Sequence, residues 1–272
     1  MRAGPMTPEA RGHDRPVTVE LDGHVATVTY CRPPVNATVP ETMHAIGEAF
    51  AALGDNREVR AAIFTGCGTR AFMAGADLKA PARPDPGETP PDWVTDPGRV
   101  AREAMWALYD CAVPVIGAIN GPAIGGGLAF ASLCDILIAA DTARFGTAEI
   151  NVGLLGASSH LVRMVGPYKA RKMFFTGELV SAEEMHRLGA VEQVVTADKL
   201  MPAARALAAE LATKSPIALR LAKESMNRTE FMSLKDGYRV EQDYTTRLLG
   251  FEDAAEARHA FRDKRDPEWR WR

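Results

Sequence analysis

The stretch from Val113 to Asp135, V-P-V-I-G-A-I-N-G-P-A-I-G-G-G-L-A-F-A-S-L-C-D, constrains this chain more than any other. Val113 to Ile119 is apolar or small, rich in valine and isoleucine, and carries its proline near the edge, which predicts a buried strand. Gly121-Pro122 turns the chain. Gly125, Gly126 and Gly127 then lead into Leu128 to Cys134, an apolar segment without a polar face, predicting a helix buried on all sides. A helix start leaves its first backbone N–H groups unpaired, and residues without a Cβ let a ligand approach those donors. Such an arrangement is the beginning of an anion site.

Three ligand readings compete for a strand, glycine turn and helix. A dinucleotide fingerprint needs G-x-G-x-x-G, and three other residues separate Gly121 from Gly125. A phosphate loop needs lysine after its last glycine, and Leu128 follows Gly127. An oxyanion site remains, beside the plainer reading that the glycines only pack a helix closely on a strand.

With 272 residues, 46% hydrophobic, and a formal charge of −3, the chain can bury a full core and shows no nucleic-acid surface. No run approaches the roughly 18 apolar residues of a membrane span, and Met1 to Arg15 lacks an apolar signal core, so a cytoplasmic protein without a membrane partner is expected. Residues 1–15 read as a disordered leader. Cys31, Cys67, Cys111 and Cys134 are unevenly spaced, which argues against a metal cluster or disulfide frame and for reduced, packing cysteines.

Val17 to Leu21, Asp22-Gly23 and Val25 to Tyr30 alternate as a hairpin should. Arg32-Pro33-Pro34-Val35-Asn36-Ala37 is a rigid loop, Pro40 to Leu53 has helical spacing, and Val59 to Thr65 is a buried strand. In Phe72 to Lys79 a further strand stops at small residues and a helical turn begins. The backbone N–H of Ala76 therefore repeats the logic of Gly126 and points toward the same place. Proline-rich Pro81 to Asp96 reads as a loop and a candidate lid. Helix Gly98 to Ala112 precedes the central strand, and strand Ile136 to Ala140 follows it. Glu149 sits among Ile150, Val152, Leu154 and Leu155, so it is paired, exposed or tuned for chemistry. Beyond Gly166 helices are predicted at Pro167–Thr176, Ser181–Leu188, Asp198–Lys214, Pro216–Arg228 and Ser233–Ala260, with one strand at Ala190–Val195.

The two glycine-bearing segments, the Arg32 to Ala37 loop, Cys134-Asp135, Glu149 to Gly153 and Phe261 to Trp269 resemble the enoyl-CoA hydratase/isomerase family, the crotonase superfamily, from about Val17 to the end. The resemblance implies an α/β fold, a crotonase (ClpP-like) spiral of ββα units over residues 16–196, with a helical trimerisation region over 197–272 and a homotrimer or hexamer. It implies an acyl-CoA thioester substrate, coenzyme A being part of that substrate rather than a cofactor, and no metal. The thioester oxygen would be held by the N–H groups of Ala76 and Gly126, with Ala74, Asp77, Leu78, Lys79, Gly125 and Ala129 around the substrate.

Removing a proton alpha to a thioester, or adding a nucleophile at its beta carbon, places negative charge on the thioester oxygen. Preorganised donors stabilise that charge, and losing one typically costs roughly 3 to 4 kcal/mol. The acids then decide the reaction. Hydratases of the family carry two glutamates, one three residues after the donor glycine and one matching Glu149. This chain has Ala129 at the first position, one helical turn beyond Gly126 on the face expected to look at the substrate. A single carboxylate suits proton shuttling, as in the Δ3,Δ2-enoyl-CoA isomerase branch, which also shows the Pro33-Pro34-Val35-Asn36 loop. Hydratase or other lyase chemistry on a 2-enoyl-CoA, and a non-catalytic acyl-CoA binder, remain as alternatives.

His160, in the loop Gly156 to His160, is either a second polar group or a bland loop histidine, and Ser158-Ser159-His160 is no triad because sequence neighbours do not face each other. Asp77 caps the turn after it. Asp135 bonds backbone at a helix-to-strand junction. Lys79 meets a coenzyme A phosphate or sits in solvent, and Lys264 reaches the nucleotide end by analogy alone. Trp269 and Trp271 are too apolar for a free end and are expected to dock on a subunit.

Overall fold

The computed structural model describes residues 15–79, 96 and 98–272, so nearly all of the expected leader and of the candidate lid lies outside the described residues. In chain order the strands are β1 (Val17–Asp22), β2 (Val25–Tyr30), β3 (Ala61–Gly66), β4 (Val115–Ile119), β5 (Ala123–Ile124), β6 (Ile136–Ala140), β7 (Arg144–Gly146), β8 (Val180–Ser181) and β9 (Gln193–Val195). The helices are α1 (Pro40–Asp55), α2 (Arg99–Tyr109), α3 (Gly126–Ser132), α4 (Ser158–Thr176), α5 (Ala182–Arg187), α6 (Leu200–Ala212), α7 (Pro216–Thr229), α8 (Leu234–Leu249) and α9 (Glu252–Asp263).

After the antiparallel β1–β2 hairpin the large sheet is parallel, in the order β1-β2-β3-β4-β6-β9. A small second sheet has the order β5-β7-β8. Strand β4 runs into β5 and then α3, and β6 runs into β7 and then the Glu149 turn and α4. Likewise β3 is followed by Met73, which bridges Ala123 of β5, before α2. The β4 and β6 units thus send one strand to each sheet and close with a helix, the expected ββα repeat, and in the β3 unit the lone bridge at Met73 stands where the second strand would be.

Both faces of the central strands β3, β4 and β6 are covered, which is why these three read as continuous apolar runs. Ala62, Phe64, Val115 and Ile119 join the main core, whereas Ala61, Ile63, Ile116 and Ala118 pack with Leu200, Ala204 and Ala208 of α6. Phe64 anchors the main core, meeting Phe50 and Phe72 edge to face at centroid distances of 5.2 and 5.3 Å. Buried α3 packs into the same core through Leu128, Phe130 and Ala131.

Three sequence expectations need correction, and the tail finds partners within its own chain. Cys31 and Cys67 form a disulfide, because the parallel register sets Tyr30 opposite Gly66 and brings the next residues together; only Cys111 and Cys134 are free, and both are buried. His160 lies in the first turn of α4, not in a loop; Ala157 offers no side-chain cap, and the break at Gly166-Pro167 hides the helix before it. The long helix expected over 233–260 is two, α8 and α9, separated at Gly250-Phe251. The tail docks on its own chain: the Trp269 indole N–H donates to Thr213 O (3.0 Å), Arg220 stacks over Trp271, and buried Asp253 accepts the Arg270 and Trp271 N–H groups.

Asp135 does bond backbone as expected, accepting the Val115 N–H at 2.6 Å, but it also pairs with Lys223 of α7 at 2.8 Å. Among the described residues no helix is long and apolar enough to cross a membrane.

Candidate active site

Two peptide N–H groups are left open by the way their own peptides are held. The Gly75 carbonyl accepts from the Thr38 N–H (2.7 Å) and hydroxyl (3.2 Å), and the Asp77 N–H donates to Thr38 O (3.0 Å). Carbonyl and N–H of one trans peptide point opposite ways, so the N–H of Ala76 points away from Thr38. The Gly125 carbonyl accepts from Ala129 N–H (3.0 Å) as the first bond of α3, so the N–H of Gly126 points out of the helix start. Among the described residues neither N–H donates to a protein acceptor. The two peptides are neighbours: a Cβ built on Gly126 would stand 3.7 Å from the Gly75 Cα.

Close packing produces this convergence. The Phe72-Met73 segment bonds to β5 through Pro122 O and the Ile124 N–H, and a Cβ on Gly127 would sit 2.7 Å from the Met73 carbonyl carbon, so α3 reaches the segment only with glycine there. Both readings of the glycines therefore hold together, close packing and open donors.

Glu149 joins the site from the other side. The Gly125 N–H donates to Gly146 O of β7 (3.0 Å), and the short 3-10 turn Glu149–Val152 begins just beyond that strand. The Glu149 carboxyl lies against the Cα of Gly125, whose positive φ of 55° and missing Cβ make the contact possible. Half-buried, its Oε2 has no hydrogen-bond partner among the described residues. Burial raises its pKa above the usual carboxylate range, and a bond to its own backbone N–H only partly offsets this. Of the alternatives for this acid, the structure shows a partly desolvated carboxylate without an ion-pair partner among the described residues.

The remaining expected residues fall in different places. Ala74 donates its N–H to Val35 O, Leu78 and Lys79 are exposed, and Asp77 Oδ1 accepts the Lys79 N–H at 3.0 Å. Ala129 is 1% exposed and brings only a methyl group. His160 is half-buried with Nδ1 unpartnered; burial first, then the Arg163 charge, lower its pKa, so the ring is neutral at neutral pH. Lys264 is exposed at the end of α9, and no contact among the described residues ties it to Glu149 or to the donors.

Sequence reading missed Thr38, which orients the Gly75–Ala76 peptide, and Thr147, fully buried two residues before Glu149 with its hydroxyl unpartnered. It also missed Gly156, where a Cβ would lie 3.6 Å from Glu149 Oε1. Gly156 stood out only as a loop residue, and the threonines carried no signal.

The profile of the enoyl-CoA hydratase/isomerase family matches residues 20–272, and the chain belongs to that family. It is an acyl-CoA enzyme of the crotonase superfamily. It is similar to the carnitinyl-CoA dehydratase of Proteus mirabilis, 37% identical over 257 residues that cover 92% of this chain and 96% of that protein. Among solved structures it is similar to the enoyl-CoA hydratase of Bacillus anthracis (TM-score 0.85, 29% identity, 94% of this chain and 99% of that one). Pseudomonas aeruginosa DspI is also similar (TM-score 0.87, 33% identity, 97% of this chain and 100% of that one).

Proposed function

We propose that Glu149 moves a proton on an acyl-CoA thioester whose carbonyl oxygen sits between the N–H groups of Ala76 and Gly126, and that the net reaction shifts a double bond between the 3-enoyl and 2-enoyl positions. One observation carries the reading: among the described residues, the Glu149 carboxyl with its unpartnered oxygen lies against Gly125 beside the open donors, while Ala129 supplies no second acid. The Glu149 carboxylate takes a proton from the carbon alpha to the thioester, charge flows to the thioester oxygen, and the protonated acid returns the proton at the far end of the dienolate. A raised carboxyl pKa brings the base closer to the carbon acid and favours both transfers. Exposed Lys79 and Lys264 are assigned to coenzyme A phosphates.

Dehydration of a 3-hydroxyacyl-CoA, or the reverse hydration, is the second reading, favoured by the carnitinyl-CoA dehydratase relatives. There Glu149 takes the same alpha proton and delivers it to the departing beta hydroxyl. A panel of 3-enoyl-, 2-enoyl- and 3-hydroxyacyl-CoA thioesters separates the two. Conversion of 3-enoyl to 2-enoyl, without hydroxyacyl product, supports isomerisation; formation of 3-hydroxyacyl-CoA from the 2-enoyl substrate supports the second reading and refutes the first.

A homotrimer or hexamer is part of the same reading, supported by large apolar side chains left exposed on the helical region, among them Phe231 (82%) and Leu234 (89%). Sedimentation of the purified protein as a monomer at micromolar concentration would contradict it.

A further inference from the structure

The rigid loop before α1 carries a charged side chain that the chemistry above does not use. Arg32 Nη2 pairs with Asp77 Oδ2 at 2.7 Å, and its Nη1 donates to the Ala37 carbonyl at 3.2 Å. Ala37 precedes Thr38 and Asp77 follows Ala76, so the guanidinium spans the two short segments whose Thr38–Ala76 bridge turns the Ala76 N–H outward. The loop itself is closed: Asn36 N–H donates to Arg32 O (2.9 Å), Arg32 N–H donates to Asn36 Oδ1 (3.0 Å), and the buried Asn36 amide donates to Cys67 O (3.0 Å) and Ala71 O (2.9 Å). One end of the clip is therefore anchored in the core. The other end grips the residue next to the donor.

We propose that Arg32 is a positioning residue for the Ala76 N–H, acting through its bridge between Asp77 and the Ala37 carbonyl. The planar fork of guanidinium donors suits this task, since it serves two acceptors at a fixed spacing, which an ammonium group does not. The Arg32 contact also holds the Asp77 carboxyl below the usual carboxylate range, so the pair stays ionised through neutral pH. Without the bridge, the backbone bonds at Val35 and Thr38 are what tie this segment to the loop among the described residues, no side chain then holds Asp77, and the direction of the donor loosens. The proposal rests on the assignment of Ala76 as an oxyanion donor.

The test uses the full-length protein and a saturated acyl-CoA labelled with carbon-13 at the thioester carbonyl, whose infrared stretch falls when the oxygen accepts hydrogen bonds. Arg32→Ala and Asp77→Asn should each move the bound carbonyl band back toward its position in free solution. Each should lower kcat about tenfold or more with KM within about threefold, because a misdirected donor acts on the charge that develops in the transition state. Arg32→Lys should recover part of both signals, and the double variant Arg32→Ala/Asp77→Asn should be no worse than the poorer single variant. Asp77→Asn keeps the side-chain shape and carries the test if Arg32→Ala does not fold. Folded variants with wild-type band position and kcat overturn the proposal. Gly126→Pro, which deletes the other N–H at a position where proline suits a helix start, separates the two levels. If it leaves band and turnover intact, Gly126 falls from the oxyanion assignment and the clip stands or falls with the Arg32 and Asp77 variants; if it lowers both while Arg32→Ala does not, the clip alone falls.

Discussion

Replacing Gly125 by alanine tests how tightly the acid is placed. The new Cβ would stand 2.8 Å from the Glu149 Cδ and closer still to Oε1, where ordinary contacts begin near 3.4 Å. The carboxyl is the movable partner, so relief comes from swinging it away by on the order of 1 Å, a misplacement that can lower turnover about a hundredfold. Backbone strain adds a separate effect, since φ 55° with ψ −115° suits only glycine and costs about 1–3 kcal/mol in alanine. Gly23→Ala is the control: its φ is also positive, at +56°, but a Cβ there meets nothing within 4 Å. Thermal melts and turnover of the best substrate in the thioester panel should show both variants destabilised, with only Gly125→Ala losing turnover while acyl-CoA binding stays within about threefold. Wild-type kcat in folded Gly125→Ala, or an equal loss in Gly23→Ala, would refute the placement argument.

The raised pKa of Glu149 predicts that kcat/KM climbs with pH along a limb lying above the ordinary glutamate value of about 4.3; a limb at or below that value contradicts it. The same shift has a sign for stability, because a folded-state pKa above the unfolded one penalises the ionised fold. Glu149→Gln should therefore raise the melting temperature at neutral pH, and the gain should vanish below the unfolded value. Lys223, 5% exposed, ties α7 to Asp135. Lys223→Met leaves the Asp135 carboxylate, which is exposed and still accepts the Val115 N–H, so urea denaturation should show a loss of about 1–3 kcal/mol. Thiol labelling of the denatured, unreduced protein should count the two free cysteines, Cys111 and Cys134, and all four after reduction.

The site was legible where local chemistry alone determines it. Ile136–Ala140 is an apolar run between Asp135 and Asp141, and its strand ends fall where those acids suggest. The open N–H groups of Ala76 and Gly126 fall at small residues that end apolar runs, a signal that needs no tertiary knowledge. Strand β5 carries no sequence signal, because a two-residue strand has no periodicity and forms only where β7 and Met73 lie beside it. Lys223 and Arg32 were opaque for the same reason, since their partners lie far along the chain and only the packed sheet and helices bring them near. The disulfide depends on a strand register that cysteine spacing does not encode.

The central claim is that Glu149 transfers the alpha proton of a thioester held by the Ala76 and Gly126 N–H groups. Its most direct measurement is the exchange of alpha hydrogen of a saturated acyl-CoA in deuterated water, followed by mass spectrometry for the wild type and Glu149→Gln. Exchange by the wild type, reduced about a hundredfold or more in a folded Glu149→Gln that still binds acyl-CoA, is the predicted result. Equal exchange by the two proteins would contradict the claim and move the proton chemistry to another group.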